Sequence, residues 1–350
     1  MKTIAKKFIL SISILLSLSD LHAQEIKSVG VPYVQNYLKS EYLSGNQNWA
    51  VAKDDKGVMY FGNAEGLLTY DGGYWQLYKM PDKQIVRSVA TGPQGRVYVG
   101  AFGEFGYWAT IKGRFTYTSL SALISKKEGV KDEIWKIYVD NKRVIFQTFS
   151  KIYIYENGKI NVITGPGPFL FMHKVAGNIY VEALNKGLYQ LKGSKLVALN
   201  NTGRIIPSEI LSILPYRAGK LLIGTSKSGL YLYDGQRFTP FNSPANSFLT
   251  TQQLNNGCQL LNKYYAYGTI LNGIIIIDEL GNIVQRINKA HGLQNNTVLS
   301  LFTDKSENLW AGLDNGIDRI ELNSPLYFYF DKSGQFGTVY SSIIYGKNIY

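Results

Sequence analysis

The chain has 350 residues, 45% of them hydrophobic and only 18% charged, enough apolar material for a sizeable core. Its 35 glycines and 26 tyrosines favour strands and turns over helices. One cysteine (Cys258) and three histidines (His22, His173, His291) exclude a disulfide framework and any metal-ligand cluster assembled by spacing, and no cofactor is expected. The formal charge of +12 falls to +10 if Met1–Ala23 is removed, and the lysines are scattered through turns in runs no longer than two. Scattered charge of this kind is a solvated surface, so no nucleic-acid partner is expected.

Met1–Ala23 reads as a signal peptide. Lys2, Lys6 and Lys7 form a basic start, Phe8–Leu18 an apolar run too short for a membrane span, and Leu21-His22-Ala23 a cleavage site before Gln24. No cysteine follows the apolar run, which argues against a lipoprotein anchor, and the chain is expected to be exported to the periplasm. Cys258, in an apolar run after Gly257, reads as a buried small hydrophobe.

Beyond Val31–Tyr42, a strand-like aromatic segment, one phrase repeats. Its anchors are Tyr60-Phe61-Gly62, Tyr98-Val99-Gly100, Ile145-Phe146-Gln147, Tyr180-Val181-Glu182, Leu222-Ile223-Gly224, Ala266-Tyr267-Gly268 and Trp310-Ala311-Gly312, spaced by 38, 47, 35, 42, 44 and 44 residues. A strand follows each anchor, from Gly66-Leu67-Leu68 to Gly316-Ile317-Asp318. An inner-strand candidate precedes each: Trp49–Ala52, Val86–Ala90, Ile134–Val139, Leu170–Val175, Ile210–Leu214, Gln252–Leu254 and Val298–Phe302. Asp71-Gly72, Asn157-Gly158 and Asp234-Gly235 turns lead into aromatic outer strands such as Phe238–Phe241. Four strands per period of about forty residues, seven times over, specify an all-β, seven-bladed β-propeller of four-stranded antiparallel blades spanning residues 24–336. Val34–Tyr37 and Tyr327–Phe330 compete to supply the strand that completes the last blade. Gly337–Ile344 and Asn348–Tyr350 read as the start of a further blade, so residues 337–350 are expected to be the truncated beginning of a longer architecture.

The phrase Asp54-Asp55-Lys56-Gly57-Val58-Met59-Tyr60-Phe61-Gly62…Gly66-Leu67, echoed by Asp304–Trp310…Gly316-Ile317, resembles the two-component regulator propeller repeat. Gly45–Trp49, Val86-Arg87-Ser88 and Gly100–Tyr107 are similar to the first blades of one subgroup, bacterial membrane-spanning regulators. The resemblance implies the N-terminal sensor propeller of a receptor, often for carbohydrate. It also implies further parts: a second propeller, a three-tyrosine domain, and a membrane helix leading to a kinase or helix-turn-helix output. Such a receptor dimerises at full length and meets the membrane only through those further parts. Blades 3 and 4 depart from the pattern, with Gln147 and Glu182 in place of the anchor glycine.

Residues that open inner strands, together with loops between second and third strands, converge on one mouth of a propeller channel. The ligand-binding candidates are Gln47, Asn48, Trp49, Arg87, Phe102, Glu104, Trp135, Gln252 and Asn296. Amides and arginine bond hydroxyls while aromatic rings cover C–H faces, so the expected ligand is a carbohydrate or other small molecule. The competing reading puts Trp49 and Trp135 in the interblade core and pairs Arg87 with Glu104 or Glu133 structurally. A sialidase-like enzyme would need several arginines and a carboxylate pair, and only Arg87 opens an inner strand. Catalysis is therefore not expected. A structural protein-interaction module is the third reading.

Overall fold

A strand that alternates apolar residues on both faces needs a neighbour on each side, and a ring of blades supplies both. The computed structural model describes residues 25–125, 129–202, 208–260, 263–329, 340–346 and 348–350, so the expected signal peptide lies outside the described residues. Seven four-stranded antiparallel sheets form the blades of a propeller. Blade 1 comprises Asn48–Lys53, Met59–Asn63, Gly66–Tyr70 and Trp75–Tyr78, from the channel outwards. Blade 2 follows with Ser88–Thr91, Val97–Gly100, Phe105–Ile111 and Arg114–Ser119, and blade 3 with Lys136–Asp140, Arg143–Gln147, Lys151–Glu156 and Lys159–Thr164. Blade 4 is Phe169–Val175, Asn178–Ala183, Gly187–Lys192 and Lys195–Ala198; blade 5 is Ile210–Pro215, Leu221–Thr225, Gly229–Tyr233 and Phe238–Pro240. Blade 6 is Leu254–Leu260, Tyr264–Thr269, Ile274–Asp278 and Ile283–Ile287. Blade 7 takes Val298–Thr303, Leu309–Leu313 and Ile317–Ile320 from the end of the ring and Val34–Tyr37 from its beginning.

Each seam between neighbouring blades holds its own apolar cluster. The period of two does the sorting. Tyr60 faces the seam with blade 2, while Phe61 next to it faces the seam with blade 7. The unbroken run Ile274–Ile277 is apolar throughout because Ile274 and Ile276 fill the seam with blade 7 and Ile275 and Ile277 the seam with blade 5. The repeat's leading aspartate closes the hairpin between first and second strands. Asp54 Oδ1 accepts from the Lys56 and Val58 amides at 2.9 Å each. Asp304 does the same for Ser306 and Asn308, and its other oxygen accepts from Trp310 Nε1 at 3.0 Å.

Val34–Tyr37 closes the ring, pairing antiparallel with Ile317–Ile320. Its rival does something else: Tyr327–Phe328 pairs with Val31–Pro32 as a separate two-stranded ribbon, and Phe330 lies outside the described residues. The closure is reinforced by the buried Asp318, which accepts from Asn36 Nδ2 at 2.8 Å and from the Gln294 amide at 2.9 Å. At the C-terminus Ile344–Tyr345 pairs with Asn348–Ile349 in a short hairpin, and residues 337–339 lie outside the described residues.

Two short helices correct the sequence reading. α1 (Lys39–Tyr42) ends the segment read as all strand, and α2 (Ala245–Thr251) precedes blade 6. α2 displaces the expected inner strand Gln252–Leu254, which begins at Leu254 instead. The physical reason is tertiary. Ala245 and Leu249, one turn apart, are fully buried against blade 5 and blade 6, and Asn246 accepts from the Leu230 amide at 3.0 Å and donates to Phe241 O at 2.9 Å.

Candidate functional site

The starts of the inner strands and the loops between second and third strands share one face of the ring, because each inner strand pairs antiparallel with its second strand. At this face Trp49 (blade 1), Arg87 (entering blade 2) and Trp135 (entering blade 3) come together. The Arg87 guanidinium carbon lies 3.9 Å from the Trp49 ring centroid and 5.5 Å from that of Trp135. The two indoles meet edge to face at 6.4 Å. Glu133 Oε1 accepts from Arg87 Nε at 3.3 Å. The arginine is thus held by two π faces and one carboxylate, a geometry that fixes it at low entropic cost.

Neither tryptophan belongs to a seam cluster, so the interblade-core reading of Trp49 and Trp135 does not describe them. Four polar atoms of the group are buried without a hydrogen-bond partner: Trp49 Nε1, Trp135 Nε1, Arg87 Nη1 and Glu133 Oε2. A buried polar atom without a partner costs about 1–3 kcal/mol, so a cluster of them is tolerated only where something else compensates. The aromatic surface continues into blades 3 and 4. Phe149 stacks on Trp135 at 5.2 Å, and Phe171 approaches Trp135 at 6.0 Å and Phe149 at 5.7 Å. Beside Phe149 a cleft of about 470 Å³ is lined by Asp132, Phe149, Ser150, Thr164 and the turn Gly165–Pro168.

The other candidates are placed differently. Asn48 is fully buried and committed to structure: it donates to Asn46 O and Gly316 O and accepts from Asn63 Nδ2. Gln47 bonds Asp314 across the ring closure at 2.8 Å. Phe102 stands on the rim, 57% exposed, its backbone bridged to Glu133. Glu104 turns away from Arg87 and takes hydroxyl donors from Tyr117 (2.7 Å), Ser119 (2.8 Å) and Ser121 (2.5 Å). Burial and that carboxylate raise the Tyr117 phenol far above its ordinary range. Gln252 caps the end of α2 rather than opening a strand, and Asn296 accepts from the Lys289 amide at 2.9 Å within a turn.

Lys136, Phe149, Phe171 and His173 were not among the sequence candidates. Phe171 escaped because an irregular register between Phe169 and Met172 breaks the alternation that would have placed it. Lys136 had a legible signal, a charge inside an inner strand. Cys258 is half-buried with Sγ 3.6 Å from Thr303 Oγ1, and burial pushes its thiol up to about 12, a packed and unreactive state. Among the described residues no group of three or more His, Cys, Asp or Glu converges as a metal site, and no helix is long and apolar enough to cross a membrane.

No family model matches the chain, and no curated protein matches it in sequence. Among solved structures it is similar to the extracellular domain of a proposed hybrid two-component system, BT3049, from B. thetaiotaomicron, with 20% identity and a TM-score of 0.64 over 83% of this chain and 42% of that one. The extracellular domain of a proposed one-component system from the same organism, BT4673, is similar at 17% identity and a TM-score of 0.63, over 82% of this chain and 39% of that one. This chain therefore spans about two-fifths of the length of those extracellular domains. A virginiamycin B lyase from Staphylococcus aureus is similar at 14% identity and a TM-score of 0.62, over 82% of this chain and 98% of the lyase. At these identities the likeness is one of fold.

Proposed function

We propose that this chain is a ligand-sensing, non-catalytic propeller from the exported N-terminal part of a bacterial signal-transduction regulator, and that it binds a carbohydrate or similar small molecule at the mouth built by blades 1 to 4. The observation that carries the reading is the Trp49–Arg87–Trp135 cluster, which lies outside every apolar seam and with Glu133 leaves four polar atoms unpartnered. Flat rings beside an arginine, a carboxylate and indole N–H groups suit a sugar, which presents C–H faces and hydroxyls together. The likeness to extracellular domains of proposed one- and two-component systems supports the sensing role. Against catalysis, Glu104 is occupied by three hydroxyls and Glu133 by Arg87, so these two carboxylates do not form a free acid and base pair. The signal leaves through parts beyond this chain, a second propeller and a three-tyrosine domain in a dimeric receptor.

Calorimetry of the folded chain against a panel of neutral and acidic oligosaccharides tests the reading. Binding without turnover is expected, weakened about tenfold or more in Trp135→Ala and Arg87→Met. Appearance of reducing ends in the same samples would replace the sensor with an enzyme. Heat from no member of the panel, with a protein partner captured instead, would make it an interaction module.

A further inference from the structure

The seam between blades 3 and 4 differs from the others. In blades 1, 2, 5, 6 and 7 the second strand carries Gly62, Gly100, Gly224, Gly268 or Gly312, and a Cβ at any of them would collide with the inner strand of its own or the following blade. Missing Cβ atoms let those strands close up. In blade 3 the position is Gln147 and in blade 4 Glu182, and of these two seams it is that of blades 3 and 4 that opens, its inner strands touching each other less than any other neighbouring pair in the ring. Gln147 fills part of the gap itself, donating to Leu170 O at 3.0 Å and accepting from the Met172 amide at 3.2 Å.

Lys136 and His173 stand in the opened seam. The Lys136 ammonium lies 5.2 Å from the Phe171 ring centroid, and no carboxylate or hydrogen-bond acceptor among the described residues reaches it. His173 is two residues further along the same strand as Phe171; its Nε2 is buried and has no partner, and it feels the Lys136 charge. Burial alone holds the lysine below its ordinary 10.5, and burial followed by the lysine's charge holds His173 down to about 3. A cation on one strand and, on the next blade's inner strand, an unpartnered ring nitrogen that feels its charge are together suited to an anion.

We propose that this seam is an anion subsite, in which a carboxylate of the ligand sits between Lys136 Nζ and His173 Nε2 while its carbon skeleton lies against Phe171 and Trp135. This rests on the sensing reading and names the ligand class: an organic acid of sugar size, the chemistry shared by uronic acids and simple hydroxy acids. The formal charge of +10 left once Met1–Ala23 is removed draws such anions toward the surface.

Glucuronate, glucose and lactate, titrated by calorimetry and by ¹⁵N spectra of labelled imidazoles, test it. Glucuronate is expected to bind about tenfold or more tighter than glucose and to shift the His173 ring resonances. Lactate binding as tightly as glucuronate would make the ligand a simple acid and still support the subsite. Lys136→Met is expected to weaken glucuronate by about tenfold or more without lowering the thermal midpoint, because it removes a half-buried charge that no carboxylate among the described residues pairs. A lysine kept for structure would lower the midpoint when replaced, and that result overturns the proposal. Equal binding of glucose and glucuronate overturns the acid class and leaves the sensor reading standing, whereas heat from none of the three, nor from the oligosaccharide panel, overturns both.

Discussion

Replacing Gln147 with glycine restores the residue found at the matching position of five blades, and a repeat-based argument would expect it to stabilise. The structure says the reverse. Gln147 is fully buried, and its amide satisfies Leu170 O and the Met172 N–H of the next blade. Glycine would leave the buried Met172 N–H and the partly buried Leu170 O without this partner, at up to about 1–3 kcal/mol each, and would empty the space the side chain fills. The expected loss is about 3–5 kcal/mol, a large share of the ~5–15 kcal/mol that holds a folded protein together. The converse substitution, Gly100→Ala, places a Cβ 2.5 Å from Ile134 Cβ and 2.6 Å from Ser88 Oγ, and overpacking of this kind costs about 1–3 kcal/mol. Guanidinium denaturation followed by tryptophan fluorescence measures both, with a lower midpoint and unchanged slope expected. A neutral or stabilising Gln147→Gly would refute the view that this side chain spaces blades 3 and 4.

Three further outcomes are expected. Because His173 is held down to about 3 from 6.5, the unfolded chain takes up a proton that the folded chain refuses as pH falls through that window. Stability from this residue is complete above about pH 6.5 and declines toward about pH 3, by about 5 kcal/mol if the whole shift is expressed. The difference between wild type and His173→Phe in denaturant midpoints across that range isolates the effect, and parallel curves would contradict it. Tyr37→Ala removes a buried ring that stacks on Trp310 at 5.7 Å and meets Trp75 at 5.4 Å, which costs about 3–5 kcal/mol. Hydrogen exchange is expected to quicken first in Ile317–Ile320, the strand that Val34–Tyr37 covers. Glu104→Gln weakens the acceptor of three hydroxyls and is expected to cost about 1–3 kcal/mol of stability while leaving the affinity of any panel ligand unchanged. A parallel loss of affinity would return Glu104 to the site.

Much of the fold was legible along the chain because it is periodic. Anchors such as Tyr60-Phe61-Gly62 and Trp310-Ala311-Gly312 are second strands, and the alternation that marked them is the alternation of two buried faces. The aspartate and tryptophan of the repeat are legible for the same reason: Asp304 holds its own turn and the Trp310 indole, both within six residues. The site was only partly legible. Trp49, Arg87 and Trp135 sit at equivalent places in consecutive blades, so register alone pointed to them as neighbours. Choosing Glu133 over Glu104 as the partner of Arg87 needed the positions of loops some 29 residues apart.

Local sequence determined the strands, their turns and the number of blades, because each depends on hydrogen bonds and side-chain alternation within about forty residues. Only the tertiary structure decided which terminal strand closes the ring, since Val34–Tyr37 and Tyr327–Phe328 are equally strand-like and differ in what lies beside them. It also decided that α2 folds where a strand was expected, through the burial of Ala245 and Leu249. Gln147 shows the division most plainly. The sequence marks it as an exception to a glycine, but its consequence, a seam in which a neutral His173 with an unpartnered ring nitrogen feels the Lys136 charge, arises where two blades meet. That meeting is a property of the ring, and no single repeat contains it.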